Sequence, residues 1–182
     1  MAHNVKGSYS LQRKIERGDC VISAVDSVCE DYLGIDIEEN GYEEVRERYG
    51  FNVEKQDFLE SDFDEEFDII LAFDVLDHIP NLDLFYSKVR NALKEDGSLI
   101  VSDDRPFSQR KLFKLLISGK SSPADDNMMY LDSEILSNHA DRYGFEVVDK
   151  ELIKPMGTFS PIMYKLLPAV GAARFYIELK KI

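Results

Sequence analysis

After Asp68 the apolar run Ile69-Ile70-Leu71-Ala72-Phe73 is unbroken by any polar position. A short run without alternation predicts a strand buried on both faces, as in the middle of a parallel sheet. Cys20 to Val25 and Ser98 to Ser102 read as buried strands too, and Phe51 to Glu54 as a shorter one. Helical spacing appears at Leu11 and Ile15, at Tyr42, Val45 and Tyr49, and across Leu82 to Leu93. These stretches predict amphipathic helices, the second closed by Gly50. Tyr130 to Tyr143 predicts another helix, with Asp132 or Ser133 as its N-cap and Gly144 as its stop. Ala173 to Lys180 reads as a final strand.

Composition narrows the class. With 182 residues, 44% hydrophobic and 31% charged, the chain is expected to form one domain over 1–182, with a loose end over 1–7. No apolar run is long enough to span a bilayer, and no signal-peptide core opens the chain, so a cytoplasmic protein is expected. Cys20 and Cys29 form neither a disulfide framework nor a metal pattern, and no metal is expected. A net charge of −13 argues against a nucleic-acid surface, which needs a positive footprint. Basic residues concentrate only at Arg110, Lys111, Lys114 and Lys120, among Phe107, Leu112, Phe113, Leu115, Leu116 and Ile117. Such a segment suits a helix packed on the domain with a charged outer face, an anionic substrate, or peripheral membrane contact through 107–120.

Phe67 to Pro80 as a whole, with Asp74 at the strand end and Asp77-His78 after it, resembles the fourth-strand segment of class I S-adenosylmethionine-dependent methyltransferases, of the type 11/12 domain kind. Tyr32-Leu33-Gly34-Ile35-Asp36-Ile37 is similar to that family's second strand. Ala92 to Ser102 resembles the passage into its fifth strand, and Leu131 to Asp149 the passage into its sixth. The fold implied is α/β and Rossmann-like, a mostly parallel seven-stranded sheet whose last strand is the antiparallel edge strand. The interval 106–130 corresponds to a lid or insertion. The cofactor implied is S-adenosyl-L-methionine.

The resemblance also implies site residues. Asp36 would accept hydrogen bonds from both ribose hydroxyls, a task suited to a carboxylate, with Ile37 beside it; a strand-end acid capping the next helix is the alternative. Asp57 and Phe58 would meet the adenine, although Asp57 could equally be a loop acid in an acidic run. Phe73 and Asp74 would face the cofactor at the fourth strand's end. His78 is the candidate general base, since ligands sit outside the carboxyl ends of parallel strands and imidazole titrates in the physiological range. Asp103, Asp104 and Arg105 stand at another strand end.

One landmark departs from the pattern. The family's first strand runs into a glycine-rich loop, where the backbone approaches the methionine end of the cofactor without an intervening Cβ. Here Ser23-Ala24-Val25-Asp26-Ser27-Val28 holds no glycine, so motif I is degenerate. On this alignment Ser23, Val25 and Asp26 occupy the cofactor loop. A second alignment puts Lys6-Gly7-Ser8 in the loop and Val21 to Asp26 in the second strand, and ranks lower. The function implied is methyl transfer to a small-molecule, glycan or lipid-linked acceptor. The competing expectation, carried by the degenerate loop, is a protein of the same fold that serves as a binding or scaffold subunit.

Overall fold

The computed structural model describes residues 20–37, 46–63, 66–105, 108–119, 129–153, 165 and 172–182. The loose end over 1–7, the helix expected around Leu11 and Ile15, the positions of Tyr42 and Val45, and the loop at 121–127 lie outside them. The chain forms two compact units, Met1–Asp62 and Phe63–Ile182.

In the first unit, Val21–Val28 is a helix, α1, not the expected strand. The physical reason is packing: on a helix Ile22 and Val25, three apart, fall on one stripe that can meet a neighbour. Ile22 packs against the buried pair Phe51 and Val53. Polar side chains close local bonds, as when Ser27 Oγ donates to the Ala24 carbonyl at 2.7 Å. Ser23, Val25 and Asp26 therefore lie along a helix, and neither the strand-to-loop placement nor the lower-ranked strand over Val21 to Asp26 holds.

Strand β1, Gly34–Asp36, pairs in parallel with β2, Val53–Lys55, and Gly34 faces Val53. A Cβ on Gly34 would lie 2.7 Å from Val53 Cγ1 and 2.9 Å from Ile22 Cδ1. Glycine is what lets α1 and β2 meet over β1. Gly34→Ala is expected to cost on the order of 1–2 kcal/mol, as overpacking against two side-chain tips does. Urea denaturation would check this, and an unchanged midpoint would contradict it. Tyr32 ties the unit together: its hydroxyl donates to Asp26 Oδ1 at 2.8 Å, and its carbonyl accepts from Asn52 Nδ2 at 2.6 Å.

The second unit opens with β3, Phe67–Phe73, followed by a single 3-10 turn, Leu76–His78. Helix α2, Leu82–Ala92, starts where the Asn81 side chain accepts the Leu84 amide at 3.0 Å. It buries Phe85, Tyr86, Val89 and Ala92, the stripe its spacing predicts. β4, Leu93–Asp104, pairs in parallel with β3 from Ile69 opposite Ser98 to Phe73 opposite Ser102. Then come α3, Gln109–Ser118; α4, Ser133–Ala140; the 3-10 turn Asp141–Tyr143; and strands β5, Phe145–Ile153, and β6, Arg174–Lys181.

The sheet order is β3-β4-β6-β5, with β6 antiparallel to both neighbours. Its direction is the expected one, but it lies inside the sheet, with β5 at the edge. In β6 the buried Phe175, Ile177 and Leu179 alternate with half-buried Arg174, Tyr176 and Glu178. On the helical side, Tyr86 stacks on Tyr143 with centroids 4.9 Å apart and tilts against Phe145. The fold is mixed α/β with mostly parallel strands and an antiparallel last strand. Six strands lie among the described residues, and the stretch expected to supply the first of seven is helical. No helix among those residues is long and apolar enough to cross a membrane.

Candidate active site

Parallel pairing brings strand ends side by side, and each unit carries acids there. In the first, Asp36 ends β1 directly opposite Lys55, and its carbonyl accepts the Gln56 amide at 3.0 Å. Asp36 is exposed, as is Ile37. Two residues past β2, Asp57 Oδ1 accepts the Leu59 amide at 2.8 Å, and the Asp57 carbonyl accepts Ser61 Oγ at 2.6 Å. Asp57 thus holds a turn of the Asx kind, with Phe58 half-buried beside it. The exposed Asp36 carboxylate at a strand end fits a ribose diol. α1 offers no glycine cradle for the methionine end, because Ser23 to Val28 are helical.

In the second unit, the ends of β3 and β4 gather a charged group. The half-buried Phe73 closes β3, and Asp74 takes a left-handed backbone at φ 55°, a conformation that aspartate tolerates better than most residues. Its amide still donates to the Ser102 carbonyl at 3.0 Å, so the turn begins only at its side chain. That side chain accepts from Arg174 Nη2, and Arg174 Nε lies 3.8 Å from Asp104 Oδ1. Asp77 is buried within the 3-10 turn. Burial pushes its carboxyl up, partly offset by His78, whose Nε2 lies 3.4 Å from Asp77 Oδ1.

Asp103 is the least expected member of this group. Leu99, Val101 and Asp103 share one face of β4, and the first two are fully buried core. Period 2 therefore carries Asp103 inside, where it is 2% exposed. Oδ1 accepts the Asp104 amide at 2.8 Å, while the buried Oδ2 has no hydrogen-bond partner among the described residues. Burial first, then the nearby Asp77 and Asp74 carboxylates, push its pKa up to about 6.

Arg105 does not join this group through its guanidinium. It is buried and pairs with Asp132 at 3.1 Å, the residue that also caps α4. The structure thus brings together Asp74, Asp77, His78, Asp103 and Asp104, and adds Arg174, which sequence reasoning missed. Arg174 lies 100 positions from Asp74, and only the placement of β6 against β4 makes them neighbours. α3 presents Phe113, Leu116 and Ile117 to solvent, with Lys111 reaching Asp104 at 3.5 Å and the Tyr130 ring at 5.9 Å. No group of His, Cys, Asp or Glu among the described residues could hold a metal ion.

Comparison with known proteins adds three findings. A family model described as a methyltransferase domain matches residues 18–156. No curated protein matches the sequence. Among solved structures, a SAM-dependent methyltransferase from Archaeoglobus fulgidus is 19% identical, with a TM-score of 0.65 over 98% of this chain and 94% of that one. One from Mesorhizobium loti is 14% identical, with a TM-score of 0.58 over 82% and 79%. The N-methyltransferase NodS from Bradyrhizobium japonicum, solved with S-adenosyl-L-homocysteine, is 12% identical, with a TM-score of 0.58 over 87% and 70%. At these identities the structural likeness is one of fold.

Proposed function

This chain belongs to the methyltransferase-domain family, and on that premise we propose that it is an S-adenosyl-L-methionine-dependent methyltransferase acting on a small-molecule, glycan or lipid-linked acceptor. The observation that carries the reading is the family match across 18–156, which runs through both compact units. The match supports an enzyme over a scaffold subunit. When bound, the cofactor supplies a methyl group activated by its sulfonium.

The chain's own residues take distinct parts. Asp36 would accept the ribose hydroxyls, with Ile37 against the same end, and Asp57 and Phe58 would border the adenine. Phe73 and Asp74 would line the cofactor face of β3. His78 is the proton acceptor for a nucleophile that carries a proton, and Asp77 holds its imidazole in place. The exposed apolar side of α3 suits the lipid-linked member of the acceptor class.

Calorimetry with S-adenosyl-L-methionine and S-adenosyl-L-homocysteine tests the reading. The parent is expected to bind both, and Asp36→Ala to bind roughly tenfold more weakly. That is the low end for hydrogen bonds to a charged group, because the carboxylate is exposed. No binding by the parent at millimolar ligand would defeat the enzyme reading. Equal affinity in the variant would remove Asp36 from the site.

A further inference from the structure

Asp103 is a poor choice for packing. It occupies the next position on the buried face of Leu99 and Val101, where an apolar side chain would avoid the penalty of burying a carboxylate. Buried charges are ordinarily paired or coordinate a cation, yet Asp103 Oδ2 has no hydrogen-bond partner among the described residues.

Its neighbours offset its charge only in part, through the Asp104 and Asp77 amides and the field of Arg174. Asp74 and Asp77 act on it as like charges, and Asp104 follows it directly. Among the described residues the cations beside the cluster are Arg174, paired with Asp74 and near Asp104, and Lys111, 3.5 Å from Asp104. Arg105 pairs with Asp132 instead. The group grades from solvent inward: the Asp74 and Asp104 side chains are 58% and 53% exposed, Asp103 is buried, and Asp77 nearly so. Among the described residues, carboxylates of this cluster therefore outnumber cations.

We propose that this cluster receives the protonated amine of the methyl acceptor, which makes the acceptor a cationic amine. The proposal rests on the methyl-transfer reading above and names the substrate class for it. An ammonium at the cluster donates to Asp103 Oδ2 and is attracted by Asp74 and Asp104. One N–H bond must break before the nitrogen lone pair is available, and the proton passes to the His78 imidazole.

The test uses the full chain with benzylamine and, as its uncharged analogue of similar shape, benzyl alcohol. Calorimetry is run at pH 7.5, with and without saturating S-adenosyl-L-homocysteine. Benzylamine is expected to bind roughly tenfold more tightly than the alcohol, the scale of a charge-assisted hydrogen bond. Asp103→Asn is expected to abolish that preference and leave S-adenosyl-L-homocysteine affinity unchanged. The substitution is isosteric and removes a buried charge, and a melting curve checks that the variant is folded.

In the parent, the preference should also fall between pH 7.5 and pH 5. Asp103 gains its proton there, with Asp74, Asp77, His78, Asp104, Lys111 and Arg174 as the other charged groups facing it. Equal binding of the two probes, no benzylamine binding, or an Asp103→Asn variant that keeps the preference would each overturn the proposal. S-adenosyl-L-homocysteine binding in those cases would leave the methyl-transfer reading standing. Its loss in the parent would fell that reading separately.

Discussion

Replacing His78 with asparagine is expected to lower methyl transfer by about 100-fold or more, the scale of a lost general base, while cofactor affinity stays as in the parent. The residue sits in the 3-10 turn directly after β3, with its amide held by the Val75 carbonyl at 3.0 Å. Its ring is partly exposed and lies 3.4 Å from the Asp77 carboxylate. Asparagine keeps the size and polarity of the side chain and leaves the turn's backbone bonds in place, but it cannot take up a proton at neutral pH. Turnover should therefore fall without a matching change in the binding of S-adenosyl-L-methionine. Steady-state kinetics with a binding titration on the same preparation separates the two quantities. A loss confined to affinity or to thermal stability would make His78 a positioning residue, and equal turnover would end its role as a base.

Asp103→Asn should stabilise the protein at neutral pH, by on the order of 2–3 kcal/mol. The reasoning runs through the proton. In the unfolded chain an aspartate titrates near 3.9, whereas in the folded protein burial holds Asp103 up at about 6. Between those values the native state keeps a proton that the unfolded state has released. Raising the pH through that window therefore favours unfolding, and the loss is complete above the folded value. Asparagine retains an oxygen for the Asp104 amide and has nothing to titrate. Parent and variant should be equally stable near pH 4 and diverge up to about pH 6. Urea midpoints at pH 4 and pH 7.5 give the difference directly. A variant no more stable than the parent at pH 7.5 would mean that the buried carboxylate costs nothing.

The second unit was largely legible in the sequence. An uninterrupted apolar run after Asp68 marks β3, although Ile69 and Leu71 are exposed and the strand is not buried on both faces as expected; the Phe85-Tyr86-Val89-Ala92 stripe marks α2, and alternation marks β6. The first unit misled at one point. Cys20 to Val25 carries enough β-branched and apolar residues to look like a strand, and Ile22 and Val25 are too few to display a helical period over eight residues. Packing of Ile22 on Phe51 and Val53, residues some thirty positions away, decides the outcome, and local propensity does not contain it.

Within the charged cluster, the same division holds. Asp74, Asp77 and His78 announce themselves because they interrupt an apolar strand at its end. Asp103 could have been singled out by continuing the Leu99–Val101 register as an acid. Arg174 could not, because its partners come from strands joined only in three dimensions.

The interior position of β6 sets an order of events for the chain. Among the described residues β5 has β6 as its only neighbour in the sheet, and β6 lies 82 positions beyond its partner at the Ser98–Lys180 pair. Closing so wide a loop is entropically slow, and sheets built from distant pairings fold late. β3 and β4 can zip as soon as residues 67–104 exist, but β5 must wait until 174–181 have been made. Until then one edge of β4, with Leu99 and Val101 beside it, has no strand to cover it. A nascent or C-terminally clipped chain should therefore be the aggregation-prone form, and chaperone dependence should track the arrival of that one strand.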